Sequence, residues 1–92
     1  MNFNAIEEAI SRGGRGSLVL ANIVTSTYWK GVLVELSGLT ALDNTNFQHA
    51  IDVMSYRQTK GWDDEKFWEL AKKARDILEN SFFADEYNYR TK

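Results

Sequence analysis

Apolar positions in this chain recur at helical rather than strand spacing, and glycines separate the stretches in which they do so. Ile6 and Ile10 share one face of a helix predicted over residues 4–12. Asn4 is its expected cap, Glu7 stands at capping-box distance, and Gly13 or Gly14 ends the run. The stretch 17–29 is ambiguous. Leu18, Leu20, Val24, Thr25 and Thr27 favour strands, yet apolar and polar residues do not alternate there. Leu18, Leu20, Ala21, Val24 and Tyr28 fit a buried helical face better, with Ser17 as the expected cap. Residues 32–36 could form a short strand, but a lone strand leaves its backbone groups unpaired. Residues 32–42 are therefore expected to be an extended connector that holds a helical turn.

Two clearer helices follow. Asp43, Asn44 and Thr45 are competent caps, and Phe47, Ala50, Ile51, Met54 and Gln58 keep helical spacing until Gly61. Asp63 is the expected cap of the last helix, with Asp64 and Glu65 in its first turn, where the helix dipole favours carboxylates. Phe67, Leu70, Ala71, Ala74, Ile77, Leu78 and Phe82 then cover about half of its circumference at 100° per residue. Glu69 with Lys73, and Arg75 with Glu79, are expected surface pairs. The pattern predicts an all-α, single-domain bundle of four to five short helices. In it the last two form the main hairpin, residues 4–29 pack across them, and a polar-aromatic tail begins near residue 84.

Composition narrows the functional classes. With 92 residues, 43% of them apolar, and twelve aromatics, the chain can build one modest core. The absence of cysteine removes disulfides, thiolate-bound metals and thiol catalysis. No apolar run approaches the ~20 residues that span a bilayer, and the first residues lack the pattern of a secretory signal. A cytoplasmic protein without membrane attachment is expected. Charge is mixed: residues 1–46 hold three bases and four acids, and residues 47–92 hold eight bases and nine acids. Neither a basic arm for nucleic acid nor an acidic strip emerges.

Some of these positions also form a pattern. Ala5-Ile6 with Ala9, the run from Gly14-Arg15-Gly16-Ser17 to Asn22, Trp29, and Leu36, Leu39, Leu42 and Asp43 with Val53 following resemble a group of small helical proteins. That group is carried by bacterial phages and integrating mobile elements. The resemblance covers about residues 5–60; the further glycine and proline positions of the group are absent here. It implies a bacterial, accessory context and brings no catalytic residue with it.

Candidate chemistry is sparse. Gly13-Gly14-Arg15-Gly16-Ser17 precedes a predicted helix, so Arg15, Gly16 and Ser17 form a candidate anion site, although a plain turn explains the glycines more simply. His49 is the only histidine; with Asp52 and Tyr56 it could be drawn as a proton relay, but no nucleophile accompanies it, and a solvent-facing polar strip is the simpler account. Asp63-Asp64-Glu65 offers too few ligands for calcium, so no metal or other cofactor is expected. A helix-turn-helix around Gly61 would put those acids where base contacts belong, which disfavours nucleic acid as a partner. Trp62, Phe83, Tyr87, Tyr89 and Arg90 are the expected partner-binding residues, because Trp, Tyr and Arg dominate protein interfaces. The expected function is non-enzymatic: a protein–protein interaction module, in the setting of the resemblance an accessory protein that binds a host or phage complex and inhibits host defence. A nucleic-acid-associated role and a homo-oligomeric, structural role are the alternatives.

Overall fold

A computed structural model of the protein describes residues 1–60 and 64–81. Among them four α-helices and one 3-10 helix follow in order: α1 (Phe3–Ser11), α2 (Arg15–Tyr28), the 3-10 turn (Leu36–Ala41), α3 (Asn44–Lys60) and α4 (Glu65–Glu79). The described residues hold no strand, and the chain is the all-α bundle that its spacing predicts.

The bundle is built around α2. Every residue from Ser17 to Thr25 is buried, and α1, α3, α4 and the 3-10 turn all pack against this helix. A helix with strand-like composition survives here because its branched residues are enclosed on all sides, where packing outweighs propensity. The expected α3–α4 hairpin is not the main contact: both helices pack on α2, and they meet each other through Tyr56. From α1 the core receives Ile6, Ala9 and Ile10, and from α4 it receives Phe67, Leu70, Ala71, Ala74 and Leu78. Each fully buried large side chain contributes about 1.5–3 kcal/mol of transfer free energy.

Polar side chains of α2 organise what surrounds it. The Ser17 hydroxyl donates to the Ala9 carbonyl at 2.7 Å and locks α1 to α2. Asn22 Nδ2 donates to the Leu33 carbonyl at 3.1 Å, and Ser26 Oγ donates to the Val32 carbonyl at 2.6 Å. The Val32 and Leu33 carbonyls therefore find donor partners on a helix and have no need of a neighbouring strand, which is why 32–35 forms no sheet.

Several helix starts differ from expectation. Asn2, not Asn4, caps α1, accepting from the Ala5 amide at 3.0 Å, while Phe3 sets its ring edge-on against Tyr56 with centroids 5.2 Å apart. Asp64 caps α4, accepting from the Phe67 amide at 3.0 Å, so it takes the role expected of Asp63. Asp63, Phe82 and the tail lie outside the described residues. Gly14 rather than Ser17 begins α2, at φ 89°, where a side chain would be strained. Gly16 admits the 3-10 turn: a Cβ there would stand 2.8 Å from the Ala41 carbonyl oxygen.

Candidate interaction surface

The helix α3 presents an unusual distribution of side chains. Its fully buried residues are two small ones, Ala50 and Val53, with Tyr56 half-buried against the core, while Phe47, Ile51 and Met54 stand 44%, 37% and 49% exposed. At 100° per residue, those three share an arc of about 120° with Asn44, Gln48, Ser55 and Gln58. None of the seven carries a charge. The polar strip expected to face solvent, His49, Asp52 and Tyr56, is instead half-buried, so the helix is rotated relative to that expectation. Ala50 and Val53 are small enough to let α3 lie close against α2, and that close approach turns the larger side chains outward. Two further leucines, Leu33 and Leu36, are exposed on the connector at 66% and 73%.

A second cluster joins the ends of the helices. Tyr56 stacks on Phe67 at 5.7 Å, Phe67 on Tyr28 at 6.3 Å, and Tyr28 meets both Trp29 at 5.0 Å and Trp68 at 5.1 Å. Cations sit over these rings: Arg57 over Tyr28 at 5.0 Å, Lys72 over Trp68 at 5.3 Å, and Arg75 over Trp29 at 4.8 Å. The Arg57 guanidinium also donates to the Thr27 carbonyl at 2.9 Å. Tyr28, Trp29 and Trp68 are half-buried, so the cluster closes one end of the core and shows its edge to solvent.

The sequence-derived candidates fall in different places. Trp62, Phe83, Tyr87, Tyr89 and Arg90 all lie outside the described residues. Arg15 and Gly16 open α2, but the Ala41 carbonyl oxygen approaches Gly16, and the buried Ser17 hydroxyl is engaged with Ala9. Asp52 accepts from Gln48 Nε2 at 2.9 Å, whereas the Tyr56 hydroxyl donates to Asp64, so those two members of the drawn relay are paired elsewhere. That hydrogen bond, with the Phe67 amide as a second donor, holds the Asp64 carboxyl below its ordinary value. The same contact raises the Tyr56 phenol, chiefly through the bond to the carboxylate.

Among the described residues no cluster of three His, Cys, Asp or Glu side chains could hold a metal ion, and no helix is long and apolar enough to cross a membrane. A cavity of about 220 Å³ lies between α2 and the connector, lined by Arg15, Val19, Asn22 and Glu35 among others. Asn22 Oδ1 is buried beside it without a hydrogen-bond partner. The outer face of α3 has no single chemical motif, and a signal for it existed only in the smallness of Ala50 and Val53. Searches of family models, curated proteins and solved structures find no match to this chain.

Proposed function

We propose that this protein acts by binding another protein rather than by catalysing a reaction, and that the outer face of α3 is the surface it uses. One observation carries the reading: three large apolar side chains in succession stand exposed on an arc without charge. Isolated exposed apolar residues need no explanation, but a contiguous row with an uncharged polar rim has the anatomy of a protein interface. Charged residues are depleted at interface centres because desolvating them is costly.

The setting we attach to this reading is an accessory protein of a phage or mobile element that binds and inhibits a host defence complex. Its support is the resemblance of residues 5–60. Nucleic acid is the poorer partner, since Lys72, Lys73 and Arg75 each stand beside a carboxylate, Glu69, Glu7 and Glu79 respectively.

The test compares the wild-type chain with Ile51→Glu, which places a charge at the centre of the arc without touching the core. Tagged protein is incubated with nuclease-treated bacterial lysate, and captured proteins are quantified by mass spectrometry beside sedimentation of the purified chain. We expect protein association to fall at least tenfold in the variant while the helical circular-dichroism signal stays unchanged. If capture and self-association are the same in both chains, the reading is lost.

A further inference from the structure

We infer that the occupant of the outer face of α3 is a second copy of this chain, paired antiparallel about Ile51. The inference rests on the reading of that face as a protein-binding surface, and it adds who binds there. The order of residues on the arc is its support. Reading outward from Ile51, Phe47 lies on one side and Met54 on the other, and beyond them Asn44 and Gln58. Two such helices laid antiparallel bring Ile51 against Ile51, Phe47 against Met54, and Asn44 against Gln58. Each apolar side chain meets an apolar one, and each terminal amide meets an amide able both to donate and to accept.

That symmetry is what a twofold interface requires, because the same patch must complement itself. Charge agrees with it. A face with any net sign would repel its own copy, and this one has no charged residue in the arc. Antiparallel pairing also sets the helix dipoles head to tail. The pattern 44, 47, 51, 54, 58 alternates steps of three and four, the spacing that lets helices pack along a shallow crossing angle. Over these 15 residues the seam is about 21 Å long at 1.5 Å per residue. Its apolar centre is only three side chains, smaller than the ~800 Å² per partner of a standard stable complex, so the dimer is a concentration-dependent one.

The absence of cysteine makes the register directly testable. Sedimentation velocity of the full chain from about 10 µM to about 1 mM, a range that brackets weak association, is expected to move from 10.6 kDa toward twice that mass. Mild oxidation of Ile51→Cys is expected to give a covalent dimer, since the two positions meet at the twofold axis within disulfide reach. Gln58→Cys is expected to give none, because its two copies stand roughly 21 Å apart along the axis. Mixing Ile51→Glu with Ile51→Lys should restore a dimer that Ile51→Glu alone does not form. Equal cross-linking of both cysteine variants, or a dimer in which Ile51→Cys does not cross-link, overturns the arrangement. A wild-type chain that stays monomeric at about 1 mM overturns the second copy as occupant. If, in that case, Ile51→Glu still abolishes capture of another protein, the face remains a binding surface with a different partner. Nuclear Overhauser contacts from the Ile51 and Met54 methyls to residues 82–92 of a monomer would instead assign the face to the chain's own tail and overturn both readings.

Discussion

The helices α3 and α4 are nearly equal in length and pack on the same central helix, yet they use their apolar residues in opposite ways. On α4 the large apolar side chains point inward, and Glu65, Lys66, Glu69, Lys72, Lys73 and Asp76 cover the exposed side. On α3 only Ala50 and Val53 are buried, the large apolar residues point outward, and charge is missing from the arc they occupy. The first distribution stabilises a monomer in water. The second spends little on the monomer's own core and leaves its apolar area available to something else. Amphipathicity alone therefore does not tell which side of a helix is the inside of the protein.

The largest effect that could break this contrast is on stability. Phe67→Ala, which removes a fully buried ring from α4, should cost about 3–5 kcal/mol, whereas Phe47→Ala on α3 should change stability by no more than about 0.5 kcal/mol. Urea unfolding of the two variants checks the difference, and similar losses in both would mean that Phe47 belongs to the core. Gly16→Ala comes next, at about 1–3 kcal/mol, because the Ala41 carbonyl is backbone and cannot swing away. It also tests whether the 3-10 turn holds α3 in its rotated position: if α3 shifts, the Phe47 and Met54 exposure should fall in the variant's structure.

Asp64 lies where the two helices join, and its removal is the third test. Asp64→Ala deletes the α4 cap and the acceptor of the Tyr56 hydroxyl, for an expected loss of about 1–2 kcal/mol, while Tyr56→Phe, which leaves the cap in place, should lose less. The pH dependence has a definite sign. Asp64 has a folded pKa below its ordinary 3.8, so its contribution is complete above that value and disappears as pH falls through the lower, folded one. Tyr56 is raised above 10.0, so its contribution holds below that value and is lost as pH rises through the raised one. The melting temperatures of wild type and Asp64→Asn should therefore converge in strong acid; a constant gap across the acid range would contradict the assignment. The smallest effect is expected on the charged side of α4. The Lys73–Glu7 contact at 2.6 Å joins two half-exposed side chains, and Lys73→Ala should cost less than about 1 kcal/mol, shrinking further in salt.

How legible each helix was in the sequence follows from the same contrast. Most of the buried stripe of α4 could be read from its spacing: Phe67, Leu70, Ala71, Ala74 and Leu78 are buried and Ile77 is half-buried, while Phe82 lies outside the described residues. The identity of α2 as a helix could also be read, but not its place at the centre, since Ser17, Asn22 and Thr25 look like surface residues until Ala9, Leu33 and Ala21 supply their acceptors. For α3 the spacing of Phe47, Ile51 and Met54 showed that they share a face, and nothing in periodicity says which way a shared face turns. That was decided by the small volumes of Ala50 and Val53 against α2. Helix caps were off by one to three residues at α4, α1 and α2, whereas Asp43, one of the caps expected for α3, accepts from the Asn46 amide; Asn2 and Asn4 are equally able to cap, and the Phe3 ring on Tyr56 accompanies the earlier start. The aromatic residues first expected to bind a partner lie at 62 and beyond 82, outside the described residues, so the candidate surface rests on a helix whose apolar spacing was visible but whose outward orientation was not.

The enclosure of α2 has one more consequence, which concerns time rather than contacts. Its amide hydrogens from Leu18 to Thr25 can reach solvent only when α1, α3 and α4 come away, so they should exchange with deuterium through unfolding of the whole molecule. Those of α3, which fully buries only Ala50 and Val53, should exchange through a cheaper, local opening. The protein thus carries its own internal clock: α2 reports when the fold as a whole lets go, and α3 reports how often its binding face loosens.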